Sequence, residues 1–247
     1  MKNNFIRNSI ALAVIALMIM IPKQAYAAEE QSSTRFVNEI ISVFGSNGKY
    51  FDYAAYADSY PDLMNAFGYN KSALWNHYKT HGVYEGRHVS GTTPGVNAKV
   101  TALSVASSVT NEGMTDREKV LAIHNWIVNS TRYDYGNYLA NTIPDISYEK
   151  EGVFLNHVAV CAGYADAFCY LSKIVGLRCE YVSGYARSGG GHAWNRVFID
   201  GQWLYLDCTW DDPVCTDGSN MLTYEYFLIS EEAMNRDHIM ETAYALY

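Results

Sequence analysis

The apolar and polar positions divide the chain into stretches of different texture. Ser9 to Ile21 is almost unbroken apolar sequence, preceded by Lys2 and Arg7 and followed by Ala25-Tyr26-Ala27. A positive start, a short apolar run and a small-x-small step predict a signal peptide over residues 1–27. The run is shorter than the ~20 residues that span a bilayer, so no membrane span is expected after cleavage. Residues 28–90 predict a small all-helical module. Within it, Arg35 to Phe44 is amphipathic. From Tyr50 to Arg87 the aromatic residues recur at helical spacing, with Pro61 and Gly68 as punctuation, which predicts two or three short helices. Gly91-Thr92-Thr93-Pro94-Gly95 lies in an expected linker, residues 91–97.

Residues 98–247 predict one domain. Helical periodicity runs over Ala98 to Thr110 and over Asp116 to Ser130, the second opening with the Thr115/Glu118 spacing of a capping box. Its apolar face carries Val120, Ile123, Ile127 and Trp126. A long polar connection from Tyr133 to about Asn156 leads to a buried helix, Cys161 to Val175, closed by Gly176. The period then switches to two. Cys179 to Ala186, Ala193 to Ile199 and Trp203 to Cys208 predict strands, joined by Ser188-Gly189-Gly190-Gly191 and by Asp200-Gly201. The latter pair is a two-residue hairpin signal. A further strand over Tyr224 to Ile229 and a short helix from Glu231 are expected. Helices followed by an antiparallel meander define an α+β domain.

Composition narrows the function classes. Cleavage after Ala27 would remove Lys2, Arg7 and Lys23, leaving 15 of the 18 basic residues against 26 acidic ones, net −11. Such a surface repels nucleic acid. Five cysteines (161, 169, 179, 208 and 215) all fall in the C-terminal part of the chain. An odd number in an exported protein leaves one thiol for chemistry. Cys169 with Cys179, and Cys208 with Cys215, are possible ties, but spacing cannot choose a pairing. No C-x-x-C spacing occurs, and the four-apart pair His77 and His81 lacks a glutamate between them, so neither a metal nor a cofactor is implied.

One thiol has the right surroundings for a nucleophile. Cys161 sits where the long connection becomes a helix. The helix dipole there favours a thiolate, and free backbone N–H groups can hold an oxyanion. His192 enters a strand just past three glycines, placed to exchange a proton with a thiol and with a leaving amine. Trp194 has the same parity and would shield that pair. With Asp200-Gly201 as the turn, Ile199 pairs with Gln202, which puts Asp207 near Trp194 and within a diagonal step of His192. A carboxylate there can steady the imidazole. Tyr135 is the candidate second oxyanion donor, with Tyr133 and Asn125 as alternatives, and Gly163 and Tyr164 are expected to border the cleft.

Three blocks, Val160-Cys161-x-Gly163-Tyr164-Ala165-x-Ala167-Phe168, Gly191-His192-Ala193-Trp194-Asn195 and Trp203-x-x-Leu206-Asp207-x-Thr209-Trp210-Asp211-Asp212, closely resemble the transglutaminase-like superfamily. The tail from Tyr226 through Asp237-His238 is also similar to its exported bacterial branch. The resemblance implies a papain-like core with Cys161, His192 and Asp207 in the triad positions. Cys208 departs from the family's usual non-thiol residue. The stretch from Phe51 to Arg87 resembles a helical repeat of bacterial surface and secreted proteins, which implies no catalysis. Together these predict a secreted or cell-surface enzyme acting on a peptide or protein substrate, a cell-envelope component included. A non-catalytic surface-binding protein with a remnant triad is the alternative.

Overall fold

A computed structural model describes residue 34, residues 36–214 and residues 221–247. The expected signal peptide and Cys215 lie outside the described residues.

Residues 36–42 form helix α1. Three short helices follow: α2 (Tyr53–Ser59), α3 (Pro61–Phe67) and α4 (Lys71–His77), the last running into a wider turn, Tyr78–Gly82. Local capping explains their shortness. Asp52 and Asn70 accept the Ala55 and Ala73 N–H groups at 3.0 and 3.1 Å, and Pro61 opens α3. The aromatic residues that gave this stretch its texture meet inside it. Phe44, Phe51, Tyr56 and Tyr78 pack mostly edge to face with ring centroids 5.3–5.6 Å apart. His77 and His81 stack on each other at 5.4 Å, and His77 Nδ1 lies 3.2 Å from the Tyr56 hydroxyl. The module's core is continuous with that of the following domain, and Phe36 packs edge-on against Tyr170 at 5.6 Å.

The expected linker is shorter than residues 91–97. Thr93 caps helix α5 (Pro94–Val109), so Pro94 onward is already its first turn. Helix α6 (Asp116–Ser130) has the full capping box. The Thr115 hydroxyl accepts the Glu118 N–H at 3.3 Å, and the Glu118 carboxylate accepts the Thr115 N–H at 2.8 Å. The long connection is more ordered than its polarity suggested. Strand β1 (Arg132–Tyr133), helix α7 (Tyr135–Ala140), and two single turns (Asp145–Tyr148 and Gly152–Asn156) lead to β2 (Val158–Ala159), which pairs with β1 in parallel.

Helix α8 (Cys161–Ile174) is buried along most of its length and packs across β3 (Cys179–Ala186) and β4 (Gly191–Ile199). Gly176, at φ 78°, ends it in a conformation that favours glycine. Strand β5 (Gln202–Leu206) pairs with β4 in the expected register, Ile199 with Gln202 and Asn195 with Leu206. Asp200 and Gly201 both have positive φ, as this tight turn requires. Asn195 ties sheet to helix, donating to the Ala165 carbonyl at 3.0 Å and toward Cys169 Sγ at 3.2 Å. Cys169 and Cys179 face each other as thiols with sulfurs 3.5 Å apart, and Cys208 is a buried free thiol.

Two expectations at the C-terminus change. Tyr224 to Ile229 is not a strand: only Ile229 bridges to Tyr205, and Leu228 has φ 52°. Asp211 takes a donor that a ladder would need, accepting the Tyr226 N–H at 3.0 Å, and it also accepts the Thr223 hydroxyl at 2.9 Å. Its other oxygen lies 3.0 Å from buried His124 on α6, which anchors this strap to the helices. After the short helix α9 (Glu231–Met234), the chain adds an unexpected edge strand, β6 (His238–Tyr244), giving the sheet order β5-β4-β3-β6.

Strand β6 reaches β3 only because residue 184 is glycine. The register shifts between Ser183 and Gly184, and a Cβ at 184 would overlap the Ile239 carbonyl. Gly184→Ala is therefore expected to loosen β6 and to destabilise the fold by about 2–3 kcal/mol, the scale of overpacking. The change is read as a lower urea midpoint. An unchanged midpoint would mean that β6 tolerates displacement.

Candidate active site

Four elements converge on one polar cluster. The first turn of α8 begins at Cys161. Its N-cap, Val160, is extended and supplies no side-chain cap, so the leading amides are left to other partners. Strand β4 brings His192, the end of β5 brings Asp207, and the start of β6 brings His238.

Asp207 is the hub. It is 1 % exposed, and its carboxylate accepts four bonds. Oδ2 receives His192 Nε2 at 2.6 Å and His238 Nε2 at 3.1 Å; Oδ1 receives the Thr209 and Trp210 N–H groups at 2.9 and 3.2 Å. Burial alone would raise its pKa, but the charge and hydrogen bond of His192, with the bond from His238, hold it well below the usual carboxylate range. The carboxylate stays ionised. Burial would likewise lower the pKa of His192. The Asp207 charge and hydrogen bond outweigh it and, with a hydrogen bond to Cys161, push it up to about 10. With Nε2 engaged by Asp207, Nδ1 is the nitrogen left for the sulfur. His192 is therefore an imidazolium at neutral pH, beside the Cys161 sulfur.

Aromatic rings cover the cluster. Trp194 and Trp210 stack on His192 with centroids 5.8 and 5.3 Å away, which keeps the ion pair from water as the parity of Trp194 suggested. The remaining cleft candidates fare differently. Tyr135 is exposed, opens helix α7 and stacks on Tyr138 at 6.4 Å. Asn125 is occupied with Tyr224 at 3.0 Å. Tyr133, two residues earlier and the last residue of β1, is the tyrosine that arrives: its phenolic oxygen accepts the Cys161 backbone N–H. Burial, with Cys161 nearby, raises the Tyr133 pKa, so the phenol keeps its proton and can donate it. Strand β1, invisible without its parallel partner β2, ends at Tyr133, and Tyr135 lies beyond it in the first turn of α7.

Gly163 and Tyr164 are buried and position the helix that carries Cys161. A Cβ on Gly163 would approach the Ser147 and Glu149 carbonyls at 2.7 and 3.0 Å, so glycine lets the first turn of α8 lie against the preceding loop. Tyr164 is buried and donates its hydroxyl to Asp212 at 2.6 Å, securing the loop after Asp207. Burial outweighs that bond and raises the Asp212 pKa to about 6.

His192, Asp207 and His238 are also the one group among the described residues whose ligand atoms, within 4.8 Å of one another, are close enough for a metal ion. Their separations are those of hydrogen bonds, and the nitrogens and the carboxylate satisfy one another. We read them as a hydrogen-bonded chain.

A helix-borne thiol, a strand-borne imidazole and a buried carboxylate on one α+β frame define a papain-like thiol site. Residues 103–208 match the model of the transglutaminase-like superfamily, and the chain thus carries a transglutaminase-like domain. It is similar to the kyphoscoliosis peptidases of Homo sapiens and Mus musculus, 26 % and 25 % identical over 153 residues. That stretch is 56 % of this chain and 23 % of each of those proteins. Two solved structures are similar over part of the chain. One is a candidate cysteine protease from Cytophaga hutchinsonii, at 18 % identity and TM-score 0.42, with 60 % of this chain and 43 % of that one covered. The other is a TGase, at 20 % identity and TM-score 0.43, with 66 % and 42 % covered.

Proposed function

We propose that the chain is an exported cysteine-dependent acyl-transfer enzyme acting on amide bonds of peptides or proteins. The observation that carries this reading is Cys161 at the head of α8, hydrogen-bonded to an imidazole that Asp207 holds in its charged form. The thiolate attacks the amide carbonyl, and the Cys161 N–H with the Tyr133 hydroxyl receives the oxyanion. His192 gives its proton to the departing amine, leaving a thioester on Cys161. An incoming water or amine then loses a proton to His192 as it releases the acyl group and regenerates the thiolate. Water as acceptor makes a peptidase or amidase; a lysine-type amine makes a cross-linking enzyme. Hydrolysis is favoured, because nothing in the sequence specifies an amine site or a calcium site. Kyphoscoliosis peptidase, by its name, supports the same preference. The apolar run of Ser9 to Ile21 supports export.

Iodoacetamide labelling at pH 6–7, followed by peptide mass mapping, tests the site. Cys161 is expected to label ahead of the other thiols, at a pH where an ordinary thiol of pKa ~8.5 is mostly protonated. Protein and peptide substrates, with and without an added primary amine, then separate hydrolysis from transfer. A Cys161 that resists labelling, in a protein whose biological effect survives Cys161→Ala, would favour a surface-binding role over catalysis.

A further inference from the structure

His238 has no role in a three-member site, yet it is the most enclosed side chain around it. Its ring is 0 % exposed and lies among Trp210, Trp194, His192 and Tyr226, with centroids 4.3, 4.8, 5.3 and 5.4 Å away. Both ring nitrogens face carboxylate oxygens: Nε2 is 3.1 Å from Asp207 Oδ2, and Nδ1 is 2.7 Å from Asp237 Oδ1. Asp237 also accepts the Tyr226 hydroxyl at 2.6 Å and is 38 % exposed. A continuous chain thus runs from the thiol to the surface through His192, Asp207, His238 and Asp237.

Donor and acceptor counting decides the state of this ring. An ionised carboxylate only accepts, and a neutral imidazole has a single N–H. Either neutral tautomer would turn a nitrogen lone pair toward a carboxylate oxygen at hydrogen-bond distance. We propose that His238 is a positioning residue that donates from both nitrogens, a second imidazolium that holds the Asp207 carboxylate toward His192 and shares its charge. The role rests on the acyl-transfer reading above.

The titratable groups facing the ring are Asp207, Asp237, His192 and Tyr226, two carboxylates against one other cation. Two effects follow. With His238 on Oδ2 and two backbone amides on Oδ1, the carboxylate cannot turn away from His192. And because Asp207 serves two imidazoliums, His192 releases its proton to the leaving amine more readily than it would beside an undivided carboxylate. His238 itself touches no reacting atom.

The test is the pH dependence of Cys161 alkylation by iodoacetamide, mapped by peptide mass, in the wild type and in His238→Gln. Glutamine can still donate to Asp207 but carries no charge. Loss of that charge leaves both Cys161 and His192 holding protons to higher pH. The pH of half-maximal labelling is expected to move up by about one unit, the scale of a unit charge ~10 Å away at an effective dielectric of ~20. In peptide turnover, kcat is expected to fall while KM holds. An unmoved midpoint in a variant that keeps its near-UV circular dichroism overturns the role. Should His238→Gln fail to fold, Asp237→Asn removes the outer anion that keeps the second proton on His238. A smaller upward shift is expected there, and no shift overturns the proposal equally. A wild type whose Cys161 labels only near pH 8.5 defeats the acyl-transfer reading itself, an outcome distinct from an unmoved midpoint on a reactive wild type.

Discussion

Replacing Cys161 by alanine is expected to abolish turnover, by at least ~10⁴-fold in kcat, while leaving the fold intact. The sulfur forms the covalent intermediate, and no other described thiol is placed to substitute. Cys169 and Cys179 face each other under Asn195, and Cys208 is buried, where desolvation, with Asp207 next in effect, pushes its thiol pKa well up. Stability should change little, by about 1 kcal/mol or less, because Cys161 is half-buried and alanine suits the first turn of a helix. His192→Ala is expected to match the activity loss, since residues acting as one unit fail together. Comparing turnover with thermal unfolding of the same preparations checks both parts. Appreciable activity in Cys161→Ala would remove the thioester from the mechanism.

Asp207 should show the largest combined effect on stability and activity. Its removal in Asp207→Ala leaves two buried histidines and the Thr209 and Trp210 amides without their acceptor. Uncompensated buried groups of this kind cost about 3–5 kcal/mol. Asp207→Asn keeps the shape and is expected to lose about 10²–10⁴-fold in kcat, because an amide neither fixes the imidazole nor steadies its charge.

The pH dependence of stability follows from the two shifts and separates charge from shape. The Asp207 pKa is depressed by folding, so its contribution is present above the unfolded value of ~3.9 and is lost as pH falls through the folded one. The His192 pKa is raised to about 10, so its contribution is complete below the unfolded value and is lost as pH rises through about 10. The stability gap between wild type and Asp207→Asn is therefore expected to be widest between about pH 4 and 6.5 and to shrink toward pH 10. Urea unfolding across that range measures it. A gap flat from pH 5 to 10 would mean that Asp207 acts through packing and not through charge.

Local rules made much of this protein legible in its sequence. The Thr115/Glu118 spacing marks the start of α6, Gly176 marks the end of α8, and Asp200-Gly201 sets the β4–β5 register. These signals act within a few residues, through caps, turns and side-chain alternation, so neighbours in the chain suffice to read them. Because Cys161 opens a helix and His192 and Asp207 share one hairpin, their partnership could be proposed from spacing alone. Tertiary structure decided what depends on remote partners. Tyr133 reaches the Cys161 amide because β1 pairs with a strand 26 residues later, while Tyr135, two positions on, opens helix α7 and stacks on Tyr138. Asp211, held by His124, turns an alternating stretch into a strap by accepting the Tyr226 N–H. The edge strand β6, which mixes polar and apolar residues without a period of two, exists because Gly184 leaves room for it, and it carries His238 back to Asp207. Such contacts join residues dozens of positions apart. Their energy belongs to packing and to burial of charge, which no short window of sequence contains.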